Sequence, residues 1–295
     1  MEGTILKGIG GFYYVADRSG TVYECRARGI FRKEGLTPLA GDRVRFAPTS
    51  HTLSPGEYPK ARIEKILPRL NSFERPPCAN VETLVLVCAA KDPAPSFGLI
   101  DRYMASASRC GAKLIICISK EDLAEEEVCE EFRSRYEGIY PLFFVNGISG
   151  EGIEALLVAI KGSRTALAGV SGVGKSSIAN LLIEEEDIET GRISEKTSRG
   201  RHTTRHTELF RGDGFFLFDT PGFSAFDLPD IPPEELAACF PEFLPYLHGC
   251  RFGDCTHISE PGCALRHAVG EGKINKNRYL SFKEMYLELK SKDNY

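Results

Sequence analysis

No stretch of this 295-residue chain approaches the ~20 consecutive apolar residues that a membrane span needs, and Met1-Glu2-Gly3-Thr4 lacks the basic and apolar regions of a secretory leader. Internal repeats and low-complexity tracts are missing too. These absences predict a cytoplasmic globular protein with no membrane partner. A disulfide framework is also unsupported, despite ten cysteines: Cys88 and Cys117 lie inside apolar strand-like runs, and three others cluster near the C-terminus with a histidine. That pattern predicts reduced thiols and one metal site. What is present is an ordinary soluble composition, 42% hydrophobic and 26% charged, in a chain long enough for two or three domains.

The net charge of −4 conceals an asymmetry: residues 1–70 hold twelve Lys and Arg against seven Asp and Glu, a balance of +5, and the remainder carries −9. A basic end on an acidic chain suits a polyanionic partner. The same end reads as short strands at 12–16, 21–28, 43–46 and 61–66, broken by turn residues. This predicts an all-β OB-type barrel. Arg26, Arg28, Arg32, Lys33, Arg43 and Arg45, interleaved with Tyr13, Tyr14 and Tyr23, are compatible with a nucleic-acid face. Glu74-Arg75-Pro76-Pro77 is expected to close this unit, because consecutive prolines stop ladder and helix alike.

From Val81 onward, buried apolar strands at 83–89, 113–118, 140–145, 165–168, 208–211 and 215–218 alternate with helices near 99–110, 125–136, 152–161 and 175–183. Such alternation predicts a mostly parallel sheet covered on both faces. Between the fourth strand and the fourth helix runs Gly169-Val170-Ser171-Gly172-Val173-Gly174-Lys175-Ser176, with Ser177 opening the helix. This is a Walker A loop in its required context. Its N–H groups meet a pyrophosphate, Lys175 reaches the β- and γ-phosphates, and Ser176 a Mg²⁺ ion.

Asp219-Thr220-Pro221-Gly222, at the end of a buried strand, matches the Asp-x-x-Gly of Ras-like GTPases, with Asp219 on Mg²⁺ and Gly222 on the γ-phosphate. Between these motifs lies a basic segment in which either Thr203 or Thr204 would complete the Mg²⁺ shell; the sequence does not choose between them. Guanine recognition requires a carboxylate facing N1–H and the 2-amino group, and a lysine stem along the ring. Ser119-Lys120-Glu121-Asp122 supplies Lys120 and Asp122 after a buried strand, although serine departs from the usual Asn/Thr and is expected to weaken one polar contact. Asn146-Gly147 follows the next strand, where backbone N–H groups meet the guanine oxygen. Both base-reading stretches precede the phosphate loop, the reverse of the usual order. The domain therefore reads as circularly permuted.

Cys250-x4-Cys255-x-His257-x5-Cys263 offers three thiolates and an imidazole, a closed tetrahedral set suited to structural Zn²⁺. Gly253 and Gly262 are expected to allow its turns, Cys239 is too far upstream to be a ligand, and His267 is expected at the surface or beside the cluster. Helices at 233–247 and 279–289 are expected to pack on it.

Taken together, the basic β-barrel, the Gly-Val-Ser-Gly-Val-Gly-Lys-Ser-Ser loop, Gly-Arg-His-Thr-Thr, Asp-Thr-Pro-Gly-Phe and the Cys/His set resemble the RsgA (YjeQ/YloQ) family of ribosome-associated GTPases over nearly the whole chain. The resemblance implies an OB-fold, a permuted GTPase stimulated by the small (30S) ribosomal subunit, that subunit and its 16S rRNA as partners, a zinc domain and a role in late maturation of the subunit. It also points to His202 as the catalytic group: a Ras-like enzyme often has a water-orienting Gln after the Gly, whereas Phe223 stands there and cannot hydrogen-bond to water. The division expected is 1–73 (OB-fold), 74–226 (permuted GTPase) and 227–295 (helical, zinc-binding), in a monomer turning GTP into GDP. A competing reading is a nucleotide-gated RNA-binding module whose hydrolysis is incidental. An ATP-dependent kinase is weakened by Asp122.

Overall fold

In the computed structural model the described residues are 1–29, 31, 35–49, 58–183, 207–219 and 231–292. Strands β1 (Glu2–Ile9), β2 (Phe12–Asp17), β3 (Val22–Ala27), β4 (Arg43–Pro48) and β5 (Lys60–Ile66) close a barrel in the order β1-β2-β3-β5-β4. Pleat alternation turns Ile5, Val15, Cys25, Val44, Phe46 and Ile63 inward, each inaccessible to solvent. The β2–β3 turn is fixed by Asp17, whose Oδ1 accepts from the N–H groups of Ser19 and Thr21. Strand β1 escapes a reading by alternation because a register shift between Ile5 and Lys7 breaks its period. Pro76 and Pro77, expected to close the unit, sit after the barrel in the turn of a small separate hairpin: β6 (Ser72–Phe73) pairs with β7 (Cys78–Ala79) across them. Neither proline has to donate to a ladder there.

Strands β8 (Thr83–Ala89), β9 (Lys113–Ser119), β10 (Leu142–Val145), β11 (Arg164–Ala168), β12 (Glu208–Gly212) and β13 (Phe215–Asp219) form the second sheet, in the order β10-β9-β8-β11-β13-β12. All are parallel except β12, an antiparallel edge. Every residue of β8 is buried. One face carries Leu84, Leu86 and Cys88 against α1 (Phe97–Ser108) and α2 (Glu126–Tyr136); the other carries Val85, Val87 and Ala89 against α3 (Ile153–Ile160) and α4 (Lys175–Leu182). Each large aliphatic chain so buried stabilises by roughly 1.5–3 kcal/mol. The phosphate-loop strand β11 lies between β8 and β13, although β8, β9 and β10 all precede it in the chain. That is the permuted order expected from the motifs.

For the C-terminal part, the sequence predicts one helix over 233–247, and this is corrected. Pro241 cannot donate an N–H, and the chain instead makes two 3₁₀ segments, Pro233–Cys239 and Pro241–Tyr246, with Pro245 inside the second. They bring Phe240 and Phe243 into a stack with centroids 4.8 Å apart, and Phe282 meets both edge-on. Phe282 belongs to α6 (Lys276–Lys292), longer than the helix expected at 279–289, and α5 (Ala264–Gly270) was not foreseen. Arg278 of α6 is 1% exposed and donates to Asp101 of α1 at 2.6 Å and to Glu242 at 2.8 Å. Burial alone would lower its pKa, but Glu242 and Asp101 outweigh that and raise it. Asn277 to Glu131 and Asn275 to the Ser134 carbonyl add contacts with α2, so this part is fastened to the sheet's helices. Among the described residues, no helix is long and apolar enough to cross a membrane.

Candidate nucleotide site and metal centre

Parallel strands present their C-terminal ends on one edge, and β11 there turns into the phosphate loop. Gly169 has φ +140°, and a Cβ on it would lie 2.2 Å from the Val87 carbonyl of β8. Only glycine permits that approach. Val173 is 2% exposed and roots the loop in the core below, while Val170, Ser171, Gly172, Ser176 and Ser177 are exposed above. The Lys175 ammonium donates to the carbonyls of Gly169 at 2.7 Å and Val170 at 2.8 Å, and partial burial lowers its pKa. Phosphate oxygens entering the loop would exchange with those two carbonyls.

The turn expected to read the base is tied to this loop by two side chains. Ser119, at the end of β9 and 2% exposed, donates its hydroxyl to the Val173 carbonyl at 2.6 Å, with the Cys88 carbonyl 3.3 Å away. The serine therefore ties the end of β9 to the phosphate loop, a contact the sequence did not reveal. Lys120, in the left-handed region at φ 59°, donates to the Gly172 carbonyl at 2.8 Å and to the Asp92 carbonyl. Three loops meet on one ammonium. Asp92 was missed in the sequence, where only a turn after β8, Lys91-Asp92-Pro93, signals it.

Asp122 lies exposed in the 3₁₀ turn Glu121–Leu123 and has no hydrogen bond among the described residues, whereas Glu121 is engaged by Arg133 at 3.3 Å. Asn146 spends its side chain on its own loop, accepting from Ile148 N at 2.9 Å and Ser149 N at 3.0 Å. Gly147 rests on the P-loop helix, its Cβ position being 3.1 Å from Ser177 Cβ. Asp219 ends β13, the neighbour of β11, and so stands at the same edge. His202, Thr203, Thr204, Gly222 and Phe223 lie outside the described residues.

In the C-terminal part, one ligand atom each from Cys250, Cys255, His257 and Cys263 falls within 4.8 Å of all the others. Cys250 Sγ is 3.9 Å from Cys263 Sγ, and His257 Nδ1 is 3.4 Å and 3.5 Å from those sulfurs. A tetrahedral ion with Zn–S near 2.3 Å and Zn–N near 2.05 Å requires S···S of about 3.8 Å and S···N of about 3.5 Å. The donor set fits. Burial pushes the Cys255 thiol up to about 12, raises Cys263, and lowers His257. His257 (φ 65°) and Gly262 (φ 71°) turn in the left-handed region, and Gly253 also lies in a turn, without a positive φ. Glu260, not anticipated, accepts from Thr256 N and Oγ1, Ile258 N and Ser259 N and so shapes the ligand loop. Tyr279 of α6 donates to the His257 carbonyl at 2.9 Å. Cys239 is buried elsewhere on the Glu235 carbonyl, and His267 is a surface residue beside Glu271.

Comparison with known proteins agrees with this geometry. A family model described as RsgA GTPase matches residues 66–229, and one described as RsgA N-terminal domain matches residues 2–54. A protein of Agathobacter rectalis named small ribosomal subunit biogenesis GTPase RsgA is 41% identical over 307 residues, covering 100% of both chains. One of the same name from Ruminiclostridium cellulolyticum is 41% identical, covering 99% of this chain and 95% of its own. Among solved structures, YloQ, titled a circularly permuted GTPase, superposes with TM-score 0.83 at 33% identity over 99% of this chain and 95% of its own. YjeQ from Thermotoga maritima gives 0.81 at 33% identity over 98% of each. The chain belongs to the RsgA family of circularly permuted GTPases, GTP hydrolases that work with Mg²⁺.

Proposed function

We propose that this GTP hydrolase acts late in the maturation of the small ribosomal subunit, docking with GTP bound and leaving after hydrolysis to GDP and phosphate. The observation that carries the guanine-nucleotide part is the Lys120 ammonium, which fastens the turn bearing Asp122 to the loop bearing Lys175. The names of the relatives support the ribosomal part. Asp122 accepts from the guanine N1–H and 2-amino group, with the Lys120 stem along the ring and Asn146-Gly147 beside the base oxygen. Gly172, Gly174 and Lys175 hold the phosphates. Ser176, Thr204 and Asp219 are the protein's hold on Mg²⁺, which supplies charge neutralisation at the γ-phosphate. His202 orients the attacking water, the task Phe223 cannot perform.

The cysteine–histidine set holds Zn²⁺ in a structural role, because all four positions are filled by protein. The reading is completed by 16S rRNA as a direct contact, a cytoplasmic monomer, and functional units at 1–73, 74–226 and 227–295. Co-sedimentation with small subunits tests it: the protein loaded with a non-hydrolysable GTP analogue should pellet with them and the GDP-loaded protein should not. Equal retention of both forms would contradict nucleotide-controlled docking.

A further inference from the structure

We propose that the cleft between the barrel and the outer strand pair β12–β13 grips RNA phosphates of the small subunit; this rests on the ribosomal reading above. The cleft has a volume of about 360 Å³, and Arg18, Arg43 and Arg211 line it. Arg18 follows β2, Arg43 opens β4, and Arg211 comes from β12, so two separate folding units contribute guanidinium groups to one space. Glycines 3, 212 and 214 form part of its lining because the protein's own atoms fill the space a side chain would need: a Cβ on Gly3 would lie 2.5 Å from the Ala16 carbonyl, and one on Gly212 2.4 Å from the Phe215 ring.

Charge in the cleft is poorly compensated. The Arg18 side chain is 88% exposed, and its one ion pair among the described residues, to Glu2, is long at 3.6 Å; Glu2 is shared with Arg45 at 3.1 Å. Arg43 and Arg211 are exposed and make no ion pair among the described residues. Asp17, the other acid in the lining, accepts from Ser19 and Thr21, which engage its Oδ1 but keep it ionised. The Arg211 guanidinium lies on Gly20, where a Cβ would be 2.1 Å from Nη1, so any side chain at position 20 would displace it. At the end of the cleft the Lys161 stem passes Gly214, its Cε 3.3 Å from the Cβ position. Three guanidinium forks facing two carboxylates leave a net positive charge that suits phosphate oxygens, which guanidinium binds bidentately and without regard to base sequence. The placement also carries a mechanical consequence. β12 and β13 are one antiparallel pair running from Gly212↔Phe215 at the cleft to Glu208↔Asp219 at the nucleotide edge, so an RNA strand in the cleft bears on the element that ends in Asp219.

The test is equilibrium binding of small subunits, and separately of protein-free small-subunit rRNA, to the full-length protein loaded with a GTP analogue, across a salt series. The double variant Arg43→Glu/Arg211→Glu should bind both at least 10-fold more weakly, and its log K against log[salt] slope should be shallower by about 0.7–0.9 for each phosphate it no longer neutralises. Arg43→Lys/Arg211→Lys should keep most of the binding. Unstimulated GTP turnover and the thermal midpoint should stay at wild-type values in both. Arg18→Glu, at an open site, repeats the test where misfolding is not a concern. Wild-type affinity and slope in the charge-reversed proteins would overturn the proposal. Loss of subunit binding with rRNA binding unchanged would overturn it too, by assigning the contact to a ribosomal protein. If the reversals weaken rRNA binding while wild type ignores assembled subunits, the cleft stands and the ribosomal reading falls.

Discussion

Ser119 has one proton to donate, and it goes to a buried carbonyl of the phosphate loop. Removing that hydroxyl leaves the Val173 carbonyl without its donor in a buried place, a loss of about 1–3 kcal/mol. Ser119→Ala should therefore weaken GTP and GDP together by about 5- to 100-fold, read by titration with a fluorescent nucleotide; an unchanged affinity would show that the tie has no bearing on the site. Asp122→Asn, by contrast, should act on the base alone. Xanthine carries a carbonyl where guanine carries the 2-amino group, and an amide can donate to it, so XTP should outcompete GTP in the variant and lose to it in wild type. Identical competition in both would remove Asp122 from the base site. Lys120, Asp122 and Lys175 were legible because motif spacing fixes which residue follows which strand. The direction of the Ser119 hydroxyl was not, since the order of residues does not say which of two carbonyls a buried side chain will face.

Among elements, the parallel strands could be read almost to the residue, because a strand buried on both faces must be apolar throughout, as β8 is. The C-terminal part was less legible. Phe240, Phe243 and Leu247 recur at helical spacing, but Pro241 overrides the period, and Arg278 looks like an ordinary solvated position in a polar helix. Arg278→Ala would take from buried Asp101 its nearest cation, leaving it the Tyr136 hydroxyl and Arg135 at 3.7 Å, and would leave half-buried Glu242 without its donor, so a loss of up to about 3–5 kcal/mol is the expected size. Denaturant unfolding checks this, and a loss below about 1 kcal/mol would mean that water already shields both acids. For the metal loop, burial holds Cys255 and Cys263 protonated at neutral pH without an ion, so every thiolate formed on binding must release a proton. Apparent Zn²⁺ affinity should accordingly rise with pH and fall on acidification, with up to three protons released for the three cysteines. Calorimetry in buffers of differing ionisation heat counts them. Cys255→Ser should bind metal far more weakly and loosen 250–263 while nucleotide binding persists; no metal in protein purified without chelator would argue against the centre altogether.

At the scale of the whole molecule, permutation is what joins the parts. Because strands β8, β9 and β10 come first in the chain, the strand that ends in Asp219 leads onward to the C-terminal core, which Arg278 clamps to α1 and Asn275 and Asn277 clamp to α2. The barrel packs β1 along the outer strand β12, with Lys7 bonded to Glu208 at 2.5 Å. Both flanking units therefore touch elements that border the nucleotide edge, and a partner holding both could alter that edge. The most direct measurement is the multiple-turnover GTPase rate of the wild-type and His202→Ala proteins, each alone and with small subunits, large subunits or bare rRNA. Wild type should be accelerated by small subunits and not by large ones, and His202→Ala should lose about 10²- to 10⁴-fold of the stimulated rate while still binding GTP and subunits. A wild-type rate indifferent to small subunits would contradict the account, leaving a protein in which nucleotide binding alone sets the conformation.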